Sequence, residues 1–149
     1  LTSNKYILLV EDNPDDEQLA LRAFRKSSLD HRIEVVRDGA EALEYLFYFG
    51  RFSDRKRNTP TVVLLDLKLP KVDGLEVLRQ LRAEDSTRLL PVVVLTSSSQ
   101  DEDIRRSYVL GANSYVRKPV DFNQFKETIE RVSTYWMTDN VSPRLKGME

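Results

Sequence analysis

Thr61-Val62-Val63-Leu64-Leu65-Asp66-Leu67-Lys68-Leu69-Pro70 is the stretch on which the reading of this chain turns. Four apolar residues, β-branched at the start, run into one carboxylate, and a proline follows. A short unbroken apolar run of this kind predicts a strand buried on both faces. An unpaired carboxylate is too costly for a sheet interior. Asp66 is therefore placed where the strand ends, at the carboxyl edge, which is where open α/β sheets bind ligands. The plain alternative is that Asp66 does no more than close a loop.

Outward from that strand, the pattern repeats. Tyr6 to Val10 predicts a first buried strand, with Glu11 and Asp12 at its end. Asn13 and Pro14 then suit the N-cap and first position of a helix, and Asp15, Asp16 and Glu17 suit the positive end of its dipole. Leu19, Ala20, Ala23 and Phe24 are expected on its core face. Ile33 to Val36 predicts a second strand, and Glu34 within it suggests an edge. Asp38 caps a second helix with Ala42, Leu43, Leu46 and Phe47 inward, and the basic stretch from Gly50 to Pro60 reads as a solvated loop. After the central strand, Val72-Asp73-Gly74 forms a turn into a helix marked by Leu75, Val77, Leu78 and Leu81. Val92 to Leu95 is a fourth strand ending at Thr96. Ser99 with Glu102 reads as a capping box for a helix from Gln100 to Leu110, closed by Gly111. Ser114 to Val116 is a short fifth strand leading to Arg117-Lys118-Pro119. Asp121 with Gln124 starts a last helix with Phe122, Phe125, Ile129, Val132 and Trp136 at apolar positions, and the tail from Thr138 is expected to be mobile.

Strand then helix, five times over, means a doubly wound parallel sheet of five strands and five helices. A sheet that starts at its middle has the order 2-1-3-4-5, with a switch point beside the first strand. A single domain is expected over residues 1–149, with a core from about 5 to 137.

Composition narrows the chemistry. The 149 residues are 40% hydrophobic and 32% charged, with a net charge of −1, which gives no field for binding nucleic acid. There is no cysteine and one histidine, which removes disulfides, a thiolate nucleophile and zinc sites built on Cys or several His. No apolar run reaches membrane-spanning length, and no signal peptide precedes the first strand, so a cytoplasmic location is expected.

The predicted topology gathers Glu11, Asp12, Asp66, Thr96 and Lys118 at one edge. Three close carboxylates repel one another and call for a cation, and an all-oxygen ligand set favours Mg²⁺. With the Lys118 ammonium and the Thr96 hydroxyl, the set makes a cradle for a phosphoryl group, with a carboxylate in line to attack.

On these residues the chain resembles response-regulator receiver domains, from Lys5 to about Trp136. The matching features are Glu11-Asp12, Asp66 in its strand, Asp73-Gly74, Thr96-Ser97, Gly111-Ala112, Tyr115 and Lys118-Pro119. The resemblance implies a flavodoxin-like fold and a phosphoacceptor, not an enzyme acting on a separate substrate. It implies Asp66 as the residue phosphorylated by a histidine kinase in a two-component phosphorelay. It further implies Mg²⁺ held by Glu11, Asp12, Asp66 and the backbone carbonyl of Lys68, with Thr96 and Lys118 contacting the phosphoryl group. Tyr115 is implied as an aromatic switch moving with Thr96, and Pro119 as a cis-proline. Output is implied through the surface of the fourth helix, fifth strand and fifth helix. The Lys68 side chain either reaches water or pairs with the phosphoryl group or Glu11.

A narrower resemblance, to the small stand-alone regulators of phytochrome kinases, rests on Asn13-Pro14-Asp15-Asp16, the long loop after the second helix, Thr96-Ser97-Ser98-Ser99 and Tyr135-Trp136. It implies a phytochrome-type histidine kinase as partner and a homodimer through the last strand and helix. Phe122 and Tyr135 are the candidate interface aromatics. Three other readings remain at this point: a module that docks a partner without phosphorylation, a flavin-binding module, and an aspartate-nucleophile phosphohydrolase. The flavin reading lacks a phosphate-binding loop after the first strand. The phosphohydrolase reading needs a second acid two residues after the nucleophile, where this chain has Lys68.

Overall fold

In the computed structural model, residues 5–26 and 32–143 are described. Five parallel strands make one sheet in the order β2-β1-β3-β4-β5: β1 Tyr6–Val10, β2 Arg32–Val36, β3 Val62–Leu65, β4 Val92–Thr96 and β5 Ser114–Arg117. The helices are α1 Pro14–Lys26, α2 Gly39–Phe47, α3 Gly74–Ala83, α4 Asp101–Val109 and α5 Phe122–Thr134. The expected doubly wound, flavodoxin-like arrangement is the one observed, and β2 is an edge strand.

Side-chain alternation along each strand divides the core in two. Tyr6, Leu8, Val10, Val63, Leu65, Val92 and Val94 pack on one face with α2 and α3. Ile7, Leu9, Val62, Leu64, Val93 and Leu95 pack on the other with Ala20, Ala23, Phe24, Phe125 and Ile129 of α1 and α5. Both faces are covered, which is why the inner strands carry uninterrupted apolar runs.

Several local expectations need correction. Leu19 is not on the core stripe of α1; Glu17 is, because 17, 20 and 24 share one helical face, and its carboxylate is paired with Arg37 at 2.9 Å. The stretch from Gly50 to Pro60 is not a merely solvated loop. It opens with a 3-10 turn, Gly50–Phe52, whose Phe52 ring meets Tyr45 edge-on at 5.1 Å. The Arg55 guanidinium lies 3.7 Å from the Tyr45 ring centroid and donates to the carbonyls of Tyr45 and Asn58. The Ser99 capping box does not form. Ser98 Oγ instead accepts from the Gln100 amide at 3.3 Å and donates to Asp103 at 2.6 Å.

The Lys118–Pro119 peptide is trans, not cis. The two isomers of an X–Pro bond differ by only about 0.5–1 kcal/mol, so a proline permits the cis form without requiring it. At the other end, the chain does not leave the core at Thr138. A π-helical turn, Tyr135–Asp139, continues α5 and buries Met137. The rest of the tail, residues 144–149, lies outside the described residues.

Gly74 shows why the turn into α3 has its sequence. Asp73 caps the helix by accepting from the Glu76 amide, and the Gly74 amide donates to the Leu67 carbonyl at 2.9 Å. A Cβ on Gly74 would lie 2.3 Å from the Asp66 carbonyl oxygen and 2.7 Å from Leu67 Cα. The helix is thus pressed against the segment that holds Asp66. Gly74→Ala is expected to lower stability by about 1–3 kcal/mol in urea unfolding, because backbone rather than a flexible side chain must yield.

Candidate functional site

Strand register brings the site together. Val10 pairs with Leu65, and the ladder continues past them: the Asp66 amide donates to the Val10 carbonyl at 3.1 Å. Val10 and Leu65 point toward α2 and α3, so Glu11 and Asp66, one residue further, turn toward α1 and α5. On β5 the same alternation sends Val116 to that face, and Lys118 two residues later follows it. The Lys118 amide donates to the Thr96 carbonyl at 2.8 Å, which fixes the start of its side chain.

The Lys118 ammonium is the hub. It donates to Glu11, to Asp16 Oδ2 at 3.0 Å and to Asp66 Oδ2 at 3.3 Å. Its side chain is 9% exposed. The other Asp66 oxygen, Oδ1, accepts from the Leu67 amide at 2.7 Å and more distantly from that of Lys68. Burial pushes Glu11 up to about 7, against the pull of the Lys118 ammonium toward the charged form. Burial alone would lower the pKa of Lys118, but the Asp66 charge and the bonds to Glu11 and Asp16 hold it above the ordinary lysine range.

Glu11, Asp12 and Asp66 each offer a carboxylate oxygen within 4.8 Å of the others. One ammonium does not balance these acids and Asp16, and hard oxygen donors with an excess of negative charge fit Mg²⁺ or Mn²⁺. Thr96 lies at the end of β4, fully buried, and its hydroxyl oxygen is 3.5 Å from the Ser98 amide. Tyr115 is half-buried and donates its hydroxyl to the Ser98 carbonyl at 2.9 Å. Lys68 points neither at Glu11 nor into the acid cluster: its ammonium, on a 72% exposed side chain, lies 3.7 Å from Asp103 at the start of α4. Phe122 and Tyr135 are not members of the acid cluster. Phe122 packs under the Arg22 guanidinium at 4.5 Å, and Tyr135 is half-exposed against Trp136.

Asp16 is the member that sequence reasoning missed. By sequence it reads as one of three dipole-compensating acids, and nothing local separates it from Asp15 and Glu17. Asp103 and Ser98 were missed for a similar reason, because their partners lie on other loops. A girdle of ion pairs joins the loops around the site: Asp16 with Lys118, Glu17 with Arg37, Asp38 with Lys71 at 3.6 Å, and Lys68 with Asp103.

The receiver-domain family described as "Response regulator receiver domain" matches residues 7–130. The probable methanogenesis regulatory protein FilR2 of Methanothrix harundinacea is 47% identical over 137 residues, which are 92% of this chain and 86% of that protein. Response regulator Rcp1 of Synechocystis is 35% identical over 133 residues, 89% of each chain. The solved Mn²⁺-bound form of Rcp1 aligns with a TM-score of 0.85 at 34% identity, covering 93% of this chain and 99% of that one. The phosphorylated cyanobacterial phytochrome response regulator RcpA aligns with a TM-score of 0.88 at 36% identity, covering 95% and 99%.

The raised Glu11 pKa carries a sign. Its folded value, about 7, exceeds the ordinary 4.5, so the folded state holds that proton more tightly than the unfolded state. The associated stability is complete below about pH 4.5 and is lost as pH rises through about 7. In metal-free buffer, the stability of Glu11→Gln relative to the parent is therefore expected to rise between pH 5 and 8, read by urea midpoints; a constant difference would contradict the assignment.

Proposed function

This chain belongs to the response regulator receiver domain family, and from that membership we propose that it is the phosphoacceptor of a two-component phosphorelay, modified on Asp66. The observation that supports this most is the Lys118 ammonium, bonded at once to Glu11, Asp16 and Asp66 beside the three-acid cluster. A carboxylate oxygen of Asp66 attacks the phosphorus of a phosphohistidine. The P–O bond forms as the P–N bond breaks, and the imidazole leaves with the electron pair. Lys118 is already aimed at an Asp66 oxygen and neutralises charge that builds on the phosphoryl oxygens. Such neutralisation is the main demand of phosphoryl transfer, which needs little covalent help.

Glu11, Asp12, Asp66 and the Lys68 carbonyl are the groups proposed to hold Mg²⁺. When bound, the ion supplies charge to offset the phosphoryl oxygens and the crowded acids. Thr96 is the proposed hydroxyl contact and Tyr115 the proposed switch, joined through the Ser98 loop to which Tyr115 is bonded. The protein acts in this reading on its own phosphorylation and dephosphorylation, not on a separate substrate. In this reading the described residues 5–26 and 32–143 make a single receiver unit, which works in the cytoplasm.

The donor is proposed to be a histidine kinase of the phytochrome type, on the likeness to RcpA and Rcp1. The output surface is α4, β5 and α5, and pairing of two copies through β5 and α5 is part of the reading. Tyr135 is the better-placed interface aromatic, because Arg22 already covers one face of Phe122.

Incubation with acetyl phosphate and Mg²⁺ is expected to add one phosphoryl mass to the intact protein. Asp66→Asn, or chelation of the metal, is expected to abolish the gain, and a gain that survives Asp66→Asn would overturn the assignment. In sedimentation at micromolar concentration, the protein is expected to run as a dimer that Tyr135→Ala weakens. A strict monomer in both phosphorylation states would remove the pairing.

A further inference from the structure

Helix α4 is held differently from the other helices. Among its residues Asp101–Val109, Ser107 is the one that is buried, while Tyr108 and Val109 are 51% and 70% exposed. With so little apolar anchorage, its position depends on polar ties. Its C-terminal end is tied by the Arg82 guanidinium, which donates to the Gly111 carbonyl at 2.9 Å and to the carbonyls of Thr87, Arg88 and Leu90 on the loop before β4. At its N-terminal end the tie is Asp103. Its Oδ2 accepts from Ser98 Oγ at 2.6 Å and lies 3.7 Å from the Lys68 ammonium.

We propose that Asp103 is a positioning residue: with Lys68 it forms a releasable tie between α4 and the loop that carries Asp66. Three segments meet at its carboxylate. Lys68 comes from the loop after β3, two residues beyond Asp66, and its amide faces Asp66 Oδ1 at 3.5 Å. Ser98 comes from the loop after β4, and its carbonyl accepts the Tyr115 hydroxyl from β5. Asp103 itself lies in the first turn of α4.

The Lys68 pair is long and its lysine is largely exposed, so it is a weak attachment and that ammonium is easily exchanged. A phosphoryl group on Asp66 brings about two negative charges to within reach of the same flexible ammonium, where Asp103 offers one. Lys68 then leaves Asp103 for the phosphoryl group. Asp103 keeps its bond from Ser98, and α4 keeps only that part of its N-terminal tie. The tie therefore passes occupancy of the acid cluster to the face that bears Tyr108 and Val109. The release step rests on Asp66 being the phosphoacceptor; the tie itself does not.

Hydrogen exchange of the α4 amides, residues 101–109, tests both parts, with and without Mg²⁺ and beryllium fluoride. Asp103→Asn keeps an acceptor for Ser98 but removes the charge, and Lys68→Met removes its partner. Each single variant is expected to speed α4 exchange about fivefold, the scale of one exposed ion pair. The double variant should be no faster than either single one, because the two residues act as a unit. Beryllium fluoride should speed wild-type α4 exchange to the variants' level and change the variants little. Asp103→Glu should restore the parent behaviour, and thermal melts within a few degrees of the parent would show that all variants fold. Parent-like α4 exchange in both single variants, or additive effects in the double, would overturn the tie. A parent that takes up no phosphoryl from acetyl phosphate would overturn the phosphoacceptor reading and the release step, while the ligand-free comparison still decides the tie.

Discussion

One ammonium among carboxylates is the constraint on which the rest of this structure depends. Burial pulls the Lys118 pKa down, and the Asp66 charge with the bonds to Glu11 and Asp16 more than offsets that pull. Those acids would in turn repel one another without it. Neither side of the arrangement is tenable alone, so the edge of the sheet is stable only if strands from distant parts of the chain arrive in register. Chemistry and folding are thereby coupled. The same contact that aims an amine at Asp66 also helps define where β5 and α1 sit relative to β1 and β3.

That coupling follows from two periodicities. Alternation along β1, β3 and β5 turns Glu11, Asp66 and Lys118 toward the same face, while the apolar residues before them alternate between the two cores. Helical spacing then brings Asp16 inward from the first turn of α1, one residue before the buried Glu17. A single inserted residue between Leu65 and Asp66 would send the acid to the α2–α3 side, away from Lys118. Gly74 has a related role, since it lets the start of α3 approach the Asp66 backbone more closely than any side chain allows.

The fold was legible in the chain because its signals are redundant. Each inner strand is an unbroken apolar run, and Asp38 and Asp121 cap helices as the sequence predicts. The site was legible as far as it lies at strand ends: Glu11, Asp12, Asp66, Thr96 and Lys118 are placed by topology alone. What was not legible depends on contacts between loops. Asp16 looks like any acid at a helix start. Ser98 and Ser99 are adjacent serines, and only the path of the loop decides which one meets Asp103. Arg55 looks like part of a solvated basic run until Tyr45 and Tyr48 are seen beneath it. The trans Lys118–Pro119 bond is a choice between isomers of similar energy, which local sequence does not make.

The girdle of ion pairs is uneven, and the unevenness has a direction. Lys118 with Asp16 and Arg37 with Glu17 are short, at 3.0 and 2.9 Å, and the Arg37 pair is bidentate. Lys71 with Asp38 and Lys68 with Asp103 are longer and have largely exposed lysines. Attachment is therefore firm where α1 is held and weaker where the loop after β3 supplies the lysine, to the start of α2 and to α4 alike. Helix burial runs the same way: α1 buries Ala20, Ala23 and Phe24, whereas α4 buries Ser107. Added charge at the acid cluster acts on all the loops, but a displacement follows the softest restraint. In this molecule that restraint lies between the Asp66 loop and α4, which makes α4 the element best placed to move.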